Sequence, residues 1–211
     1  MEILIAISEN LQKGKANAVK ELVREALDKG IFAEEILEGG LISGMDIIGT
    51  KFMNNEIYVP EVMIAARAMT AGMEVLRPAL AGAGVKSKGK VVIGTVKGDL
   101  HDIGKNLVKM MMEGKGIEVI DLGTDVPAER FISAAVEHGA RIIACSALLT
   151  TTMPEMKKVV ELLKEKGLRD KFTVMIGGAP VTDGYRQSIG ADIYTPDAGS
   201  AAEAAARVYT G

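Results

Sequence analysis

Apolar residues recur every three or four positions through the first eighty residues, and this spacing predicts amphipathic helices. One pattern stops near Gly14 and a second ends at Lys29-Gly30, since glycine after a last-turn lysine is typical of a helix end. Pro60 is placed as the first residue of a fourth helix. Four helices joined by short turns predict a four-helix bundle. The predicted apolar faces, in chain order, are Ile3, Leu4, Ile7 and Leu11; Val19, Leu22, Val23 and Ala26; Leu37, Leu41, Met45, Ile48 and Phe52; and Val62, Ala66, Met69, Met73, Leu76 and Leu80.

From Lys90 onward the pattern changes to short apolar runs that alternate with helical segments. This alternation predicts a flavodoxin-like or Rossmann-like α/β domain with a five-stranded parallel sheet in the order 2-1-3-4-5. The small and charged segment 82–89 predicts a linker. We therefore expect a helical cap domain with its linker at 1–85 and the Rossmann-like domain at 86–211. Strands are predicted near 91–96, 117–122, 141–146, 172–177 and 192–195, and helices near 104–115, 127–138, 154–166, 181–189 and 199–209.

One motif lies between the first predicted strand and the helix after it, with the sequence Asp99-Leu100-His101-Asp102-Ile103-Gly104. A carboxylate beside a histidine is an arrangement that orients a metal-binding imidazole, although a simple surface hydrogen bond is the alternative. Ser146-Ala147-Leu148 ends the third predicted strand, and Gly177-Gly178 ends the fourth. Since ligands bind beyond the carboxyl ends of parallel strands, at the switch point between strands 1 and 3, the three motifs converge on one crevice.

The order and spacing of these motifs resemble the cobalamin-binding signature Asp-x-His-x-x-Gly, Ser-x-Leu, Gly-Gly. Between Gly104 and Ser146 lie 41 residues, and between Leu148 and Gly177 lie 28. Upstream, the segment 54–62 resembles the helical cap of methionine synthase and of the small corrinoid proteins of methyltransferase systems. The resemblance covers nearly the whole chain and identifies it as similar to such a corrinoid protein.

The resemblance implies a bound cobalamin or related corrinoid in the base-off, His-on state. His101 would be the lower cobalt ligand, Asp99 would accept a hydrogen bond from its other nitrogen, and Thr152 would complete a His–Asp–hydroxyl chain. For the run 150–152, capping of the helix that begins at Pro154 is the other interpretation. The remaining cofactor-binding residues that the resemblance implies are Leu100, Asp102, Ile103 and Leu148 in the motifs; Gly104, Gly177 and Gly178 beside the nucleotide tail; Ser146 and Thr150 as hydrogen-bonding groups; and Tyr58, Val59 and Met63 over the upper face.

The resemblance also implies a function as a methyl carrier. A substrate-specific, barrel-type methyltransferase would methylate Co(I), and methyl-Co(III) would pass its methyl group to a second methyltransferase acting on coenzyme M or tetrahydrofolate. A reductive activation protein is a third implied partner. The chain has no substrate barrel of its own, which favours a non-catalytic corrinoid subunit. Methanol, methylamines, quaternary amines and methoxylated aromatics stay open as methyl donors.

Three other functions are weighed against this one. A subunit of an adenosylcobalamin-dependent mutase shares the histidine motif but has no need of a helical cap. A cobalamin-binding sensor usually carries a DNA-binding domain, and residues 1–81 lack a basic recognition helix. A cofactor-free module similar to a response regulator does not account for the Ser-x-Leu and Gly-Gly spacing.

Composition restricts partners and location. The net charge of −3 without a basic stripe argues against nucleic acid and against an anionic membrane surface. Cys145 is the single cysteine, so no disulfide forms within the chain, and we expect a reducing cytoplasm. No apolar run approaches the roughly 18 residues of a membrane span. The start of the chain lacks the basic region of a signal peptide.

Overall fold

The computed structural model of the protein describes residues 2–84 and 87–210. The chain divides into two compact units, which are Met1–Ser87 with Gly114–Gly116, and Lys88–Glu113 with Ile117–Gly211. The predicted linker at 82–89 includes Val85 and Lys86, which lie outside the described residues. The predicted domain boundary falls between these two residues and stays a prediction.

The first unit is helical, and its described part contains five helices. A π-helical stretch, Leu37–Ile42, joins the third helix to the fourth, so the chain is helical without a break from 33 to 53. The predicted helical bundle is confirmed when this run is counted as one helix. The predicted apolar face of the third helix began at Leu37, whereas the helix begins at Ala33. Ala33 and Ile36 are also buried and extend its apolar face toward the N-terminus. The helices are α1 Glu2–Gln12, α2 Ala16–Asp28, α3 Ala33–Ile36, α4 Ser43–Met53 and α5 Val59–Gly82.

Helix α5 begins one residue before the predicted start. Tyr58 is extended, and its N–H donates a hydrogen bond of 3.1 Å to the Glu61 carboxylate in the first helical turn. Pro60 is thus the second helical residue, where its missing N–H removes no helical hydrogen bond. The apolar face of α5 is buried at Val62, Ala66, Met69, Leu76 and Leu80, as the spacing predicts.

The second unit contains a five-stranded parallel sheet in the order β2-β1-β3-β4-β5, which confirms the predicted topology. The order reverses between β1 and β3, so the loops after these two strands meet at the switch point. The strands are β1 Lys90–Thr95, β2 Glu118–Asp121, β3 Ile142–Ser146, β4 Thr173–Gly177 and β5 Ile193–Tyr194, and the helices are α6 Ile103–Gly114, α7 Ala128–His138, α8 Pro154–Glu165, α9 Asp183–Ile189 and α10 Ala198–Thr210.

The centre of the sheet is covered on both faces, which explains the unbroken apolar runs of its strands. Val92 and Ile143 on neighbouring strands are fully buried, as is Phe131 of α7. Gly94 allows α7 to approach β1, because a Cβ there would lie 2.9 Å from the Phe131 ring. Within the described part of the chain, no helix has the length and apolarity needed to cross a membrane. The cytoplasmic location stays a prediction.

Candidate functional site

The loop between β1 and α6 carries the histidine of the main motif. The Thr95 hydroxyl, at the end of β1, donates a hydrogen bond of 2.8 Å to the carbonyl oxygen of His101. The N–H of Asp99 donates to the carbonyl oxygen of Val96 at 3.1 Å. These bonds turn the chain back over the end of its own strand, so Asp99 and His101 both lie at the carboxyl edge of the sheet.

Asp99 is fully buried, and both of its carboxylate oxygens are occupied. Oδ1 accepts hydrogen bonds from the backbone N–H of His101 at 3.1 Å and from His101 Nδ1 at 2.7 Å. Oδ2 accepts hydrogen bonds from the loop after β3: from the N–H groups of Leu148 at 2.8 Å and Leu149 at 3.3 Å, and from the Thr152 hydroxyl at 2.8 Å. The structure therefore brings His101, Asp99 and Thr152 into one hydrogen-bonded chain.

These hydrogen bonds determine the charge of Asp99. Burial raises the pKa of this carboxyl, but donors from the His101 side chain, Leu148, the His101 backbone and Thr152 together hold the pKa well below its ordinary value. An ionised carboxylate has no hydrogen to donate, so Nδ1 of His101 carries the shared hydrogen, and in the neutral ring the lone pair lies on Nε2. The His101 side chain is 52% exposed. A neutral imidazole fixed in this way is ready to bind a metal through Nε2.

The two loops that carry Asp99, His101 and Thr152 also expose large apolar side chains. Leu100 is 73% exposed, Ile103 76% and Leu148 42%, and such a group of exposed apolar residues indicates a ligand or partner surface. A Cβ added at Gly104 or at Gly177 would meet no atom within 4 Å, so both glycines face open space. One imidazole nitrogen framed by apolar groups fits a large flat cofactor that supplies the other metal ligands. The described residues contain no group of three or more His, Cys, Asp or Glu side chains placed to hold a metal ion.

Two family models, both described as B12 binding domain, match this chain at residues 89–207 and 4–77. A corrinoid protein of Desulfitobacterium hafniense is 42% identical over 99% of this chain and 98% of its own length. Dimethylamine corrinoid protein 1 of Methanosarcina mazei is 43% identical over 100% of this chain and 97% of its own length. The chain belongs to the corrinoid proteins of methyltransferase systems. It therefore binds cobalamin and serves in methyl transfer.

A solved complex gives the same result for the fold. The methanol:cobalamin methyltransferase complex of Methanosarcina barkeri contains a chain that matches this one with a TM-score of 0.90 and 31% identity, over 100% of this chain and 80% of that one. This family membership argues against the three alternatives, which were a mutase subunit, a sensor and a cofactor-free regulator. The comparisons thus support the methyl-carrier function.

Several predicted residues of this corrinoid protein have other structural partners. The run 150–152 does not cap α8, because Met153 is the residue before the helix and no side chain caps it; the Thr152 hydroxyl lies within hydrogen-bond distance of Asp99 Oδ2 and of the Leu149 carbonyl oxygen. Gly178 has a φ of 132°, and a Cβ there would lie 1.9 Å from the Ala147 carbonyl oxygen, so close contact between two loops requires glycine. Asp102 accepts a 3.0 Å hydrogen bond from the side-chain amide of Asn106.

The remaining predicted residues were expected to contact the corrinoid, and the structure gives only their position and exposure. Ser146 is half-buried and pairs in register with Gly177, whereas Thr150 is exposed. Tyr58, Val59 and Met63 lie at the start of α5 in the helical unit, where Tyr58 is 69% and Met63 51% exposed. Their contact with a corrinoid stays a prediction.

Sequence reasoning missed one contact of the site and one buried ion pair beside β2. Leu149 acts through its backbone N–H, which no side-chain pattern reveals. Lys105 of α6 is buried, with 2% of its side chain exposed, and its ammonium group donates hydrogen bonds of 2.7 and 2.8 Å to the two carboxylate oxygens of Asp121. A carboxylate at the end of β2, together with a lysine in the first turn of α6, was the available signal for this pair.

Proposed function

We propose that His101 binds the cobalt of the corrinoid from its lower side, in place of the cofactor's own base. The bond between Nδ1 of His101 and the buried carboxylate of Asp99, at 2.7 Å, is the observation that carries this proposal. It fixes the ring and leaves Nε2 as the only nitrogen with a lone pair. The bound corrinoid supplies a cobalt centre that takes up and releases a methyl group.

Asp99 and Thr152 act on the proton of His101. A proton and a metal ion compete for the lone pair of Nε2, because a ligating imidazole must be free of a proton at that nitrogen. The Asp99 carboxylate accepts the hydrogen of Nδ1 in either case. Thr152 donates to the other oxygen and keeps the carboxylate ionised throughout. The three residues together make the metal affinity of His101 dependent on proton concentration.

The displaced nucleotide tail of the corrinoid needs a slot beside the sheet. We place this slot at Gly104 and Gly177, since both have open space where a side chain would project. Ser146, at the end of β3, and Thr150, in the loop that follows, are the hydroxyl groups available for hydrogen bonds to the tail or the ring amides. Leu100, Ile103 and Leu148 supply apolar contacts to the ring.

We further propose a methylated amine as the methyl source. The corrinoid protein of Methanosarcina mazei named above is one for dimethylamine, and it matches over the full length of this chain. Methanol is the second candidate, because the solved complex with the similar chain is a methanol methyltransferase. The proposed partners of the protein are a barrel-type methyltransferase that acts on the methyl donor, a second methyltransferase that acts on the methyl acceptor, and a reductive activation protein.

Cofactor loading of the intact chain tests the site. The protein is mixed with hydroxocobalamin, and the absorption spectrum and the affinity are compared for wild type, His101→Ala and His138→Ala. His138, at the exposed end of α7, is the other histidine of the chain and provides a matched control. We expect His101→Ala to lose the spectrum of a nitrogen-ligated cobalamin while His138→Ala keeps it. A common spectrum for all three proteins would contradict His-on binding.

Methyl transfer to the loaded protein tests the donor. Purified methyltransferases for monomethylamine, dimethylamine, trimethylamine and methanol are each supplied with substrate and the reduced, loaded chain. We expect one of the amine enzymes to methylate the protein at least about tenfold faster than the methanol enzyme, a rate ratio that corresponds to about 1.4 kcal/mol of preference. A faster reaction with the methanol enzyme would contradict the amine proposal, but it would not bear on the proposal that His101 binds cobalt.

A further inference from the structure

The loop after β2 contains a residue in an unusual backbone conformation. Asp125 has a φ of 56°, in the left-handed region that favours glycine. Aspartate and asparagine tolerate this region better than other side chains, but they still adopt it at a cost relative to glycine. The loop passes through glycine at position 123, which also has positive φ, so glycine is used where only the turn is needed. The presence of aspartate rather than glycine at position 125 therefore indicates that its side chain makes an interaction the protein needs.

The hydrogen bonds of Asp125 show which segment it holds. Its Oδ1 accepts a hydrogen bond of 2.7 Å from the N–H of Gly98. Its own N–H donates a hydrogen bond of 3.0 Å to the carbonyl oxygen of Asp99. Asp125 thus binds the N–H at the start and the carbonyl group at the end of the Gly98–Asp99 pair, which lies two residues before His101.

The segment around Asp125 is itself anchored to the sheet. Val126 forms a parallel bridge with Val96, and its N–H donates to the Thr95 carbonyl oxygen at 3.0 Å. The N–H of Thr95 in turn donates to the carbonyl oxygen of Gly123 at 2.9 Å. Asp125 therefore connects the Asp99 backbone to the end of β1, while Leu148, Leu149 and Thr152 hold the Asp99 carboxylate from the other side.

We infer that Asp125 is a positioning residue, which fixes the Asp99 backbone so that its carboxylate meets Nδ1 of His101. The consequence for coordination rests on the proposed function, in which His101 binds cobalt. The hydrogen bonds of Asp125 go to the backbone of Gly98 and Asp99, so it acts on His101 through Asp99. Without its side chain, the Gly98–Asp99 segment keeps one hydrogen bond from the loop after β2 instead of two, and the Asp99 backbone is held less firmly beside His101.

A series of three substitutions separates the hydrogen bond from the turn. Asp125→Asn keeps an Oδ1 acceptor and tolerates positive φ. Asp125→Gly adopts the turn without strain but has no acceptor. Asp125→Ala loses the acceptor and is strained at this φ. If the side chain positions Asp99, Asn behaves like wild type and Gly behaves like Ala; if only the turn matters, Gly behaves like wild type.

The first readout is the tautomer of His101 in the cofactor-free protein. The chain has two histidines, so a long-range nitrogen–proton spectrum of the rings at pH 8 contains one signal set for His101 and one for His138. We expect wild type and Asp125→Asn to show His101 with hydrogen on Nδ1. Asp125→Gly and Asp125→Ala are expected to raise the population of the other tautomer by about threefold, as the loss of one hydrogen bond predicts. His138 serves as the internal control for folding.

The second readout is corrinoid binding by the full chain. Asp125→Gly is expected to bind hydroxocobalamin about threefold to tenfold more weakly than wild type, and Asp125→Asn as well as wild type. Unchanged His101 tautomers in both Asp125→Gly and Asp125→Ala would overturn the inference. If Asp125→Ala does not fold, Asp125→Gly decides, because it carries no backbone strain. A loaded wild-type protein with no nitrogen from His101 on cobalt would refute the proposed function, and the tautomer experiment would still test Asp125.

Discussion

Nδ1 of His101 lies 2.7 Å from Oδ1 of Asp99, and the two side chains differ sharply in exposure: the imidazole is 52% exposed, and the carboxylate is 0% exposed. The buried partner is thus fixed by the fold before any cofactor arrives. The exposed partner keeps one nitrogen free for a metal. A rigid buried carboxylate combined with an accessible imidazole suits a site in which the bond between the imidazole and a metal forms and breaks.

The first prediction concerns the charge of Asp99. Asp99→Asn replaces an acceptor of five hydrogen bonds with a group that cannot accept them all, and we expect the free energy of unfolding of the cofactor-free protein to fall by about 3 kcal/mol. Asp102→Asn, in the exposed part of the same motif, is the matched control and is expected to change it by less than about 0.5 kcal/mol. Urea unfolding at pH 7 measures both values.

The pH dependence of the same variant gives an independent check. Folding lowers the pKa of Asp99, so its charge stabilises the protein above the unfolded pKa of about 3.9, and this contribution is lost as the pH falls below that value. The difference in stability between wild type and Asp99→Asn should therefore be greatest near pH 7 and shrink toward pH 3. A difference that stays constant with pH would mean that the charge of Asp99 contributes nothing.

The second prediction separates glycines that make room for a cofactor from glycines that the fold requires. Gly104→Ala is expected to leave the stability of the cofactor-free protein unchanged or raised, because its Cβ meets no atom, yet to weaken corrinoid binding by about tenfold. Gly178→Ala is expected to lower stability by more than about 2 kcal/mol, because its Cβ collides with the Ala147 carbonyl oxygen. Thermal unfolding and a cobalamin titration distinguish the two cases. Equal cofactor affinity for wild type and Gly104→Ala would remove Gly104 from the tail slot.

The third prediction uses the asymmetry of the buried pair Lys105–Asp121. Asp121→Asn leaves the buried ammonium of Lys105 without its carboxylate and should cost about 3 kcal/mol of stability. Lys105→Met should cost less, about 1 kcal/mol, because Asp121 is partly exposed and also has Lys109 at 3.4 Å. Urea unfolding of the two variants decides the order. A larger loss for Lys105→Met than for Asp121→Asn would contradict this account of the pair.

The fourth prediction concerns the single cysteine. Burial within β3 raises the pKa of the Cys145 thiol to about 12, so it stays protonated and inaccessible between pH 7 and pH 9. A thiol reagent such as dithionitrobenzoate should label the native protein at least about a hundredfold more slowly than the protein in guanidinium chloride. Rapid labelling of the native protein at pH 8 would show that the end of β3 opens in solution.

The fold was largely predictable because the apolar spacing changes its period near residue 90. Buried runs such as 91–96 bounded by polar loops indicate strands of a parallel sheet, and alternation with helices sets their order. The π-helical stretch at Leu37–Ile42 was not predictable, because Leu37 and Leu41 have the four-residue spacing that an ordinary α-helix also gives. The start of α5 at Val59 depends on the extended conformation of Tyr58, which spacing does not report.

The site was predictable where side chains carry it and not where the backbone does. Asp99 and His101 were singled out by residue type and position, Thr152 was implied by the family resemblance, and the structure joins the three by hydrogen bonds. Leu149 donates through its N–H, and Asp125 acts through both its backbone and its carboxylate, in a turn that resembles any other polar turn in the sequence. Gly178 was assigned to the cofactor slot, yet its contact with Ala147 explains why glycine is required there.

The most direct test of the central claim is the source of the nitrogen bound to cobalt. The intact protein is prepared with ¹⁵N-labelled histidine, loaded with unlabelled cobalamin and reduced to Co(II), and its electron paramagnetic resonance spectrum is recorded. An axial ¹⁴N splits each cobalt line into three, whereas an axial ¹⁵N splits it into two. We predict doublets in the labelled wild type and in labelled His138→Ala, and no doublets in His101→Ala. Triplets in the labelled wild type would show that the cofactor's own base binds cobalt, and they would contradict the assignment of His101.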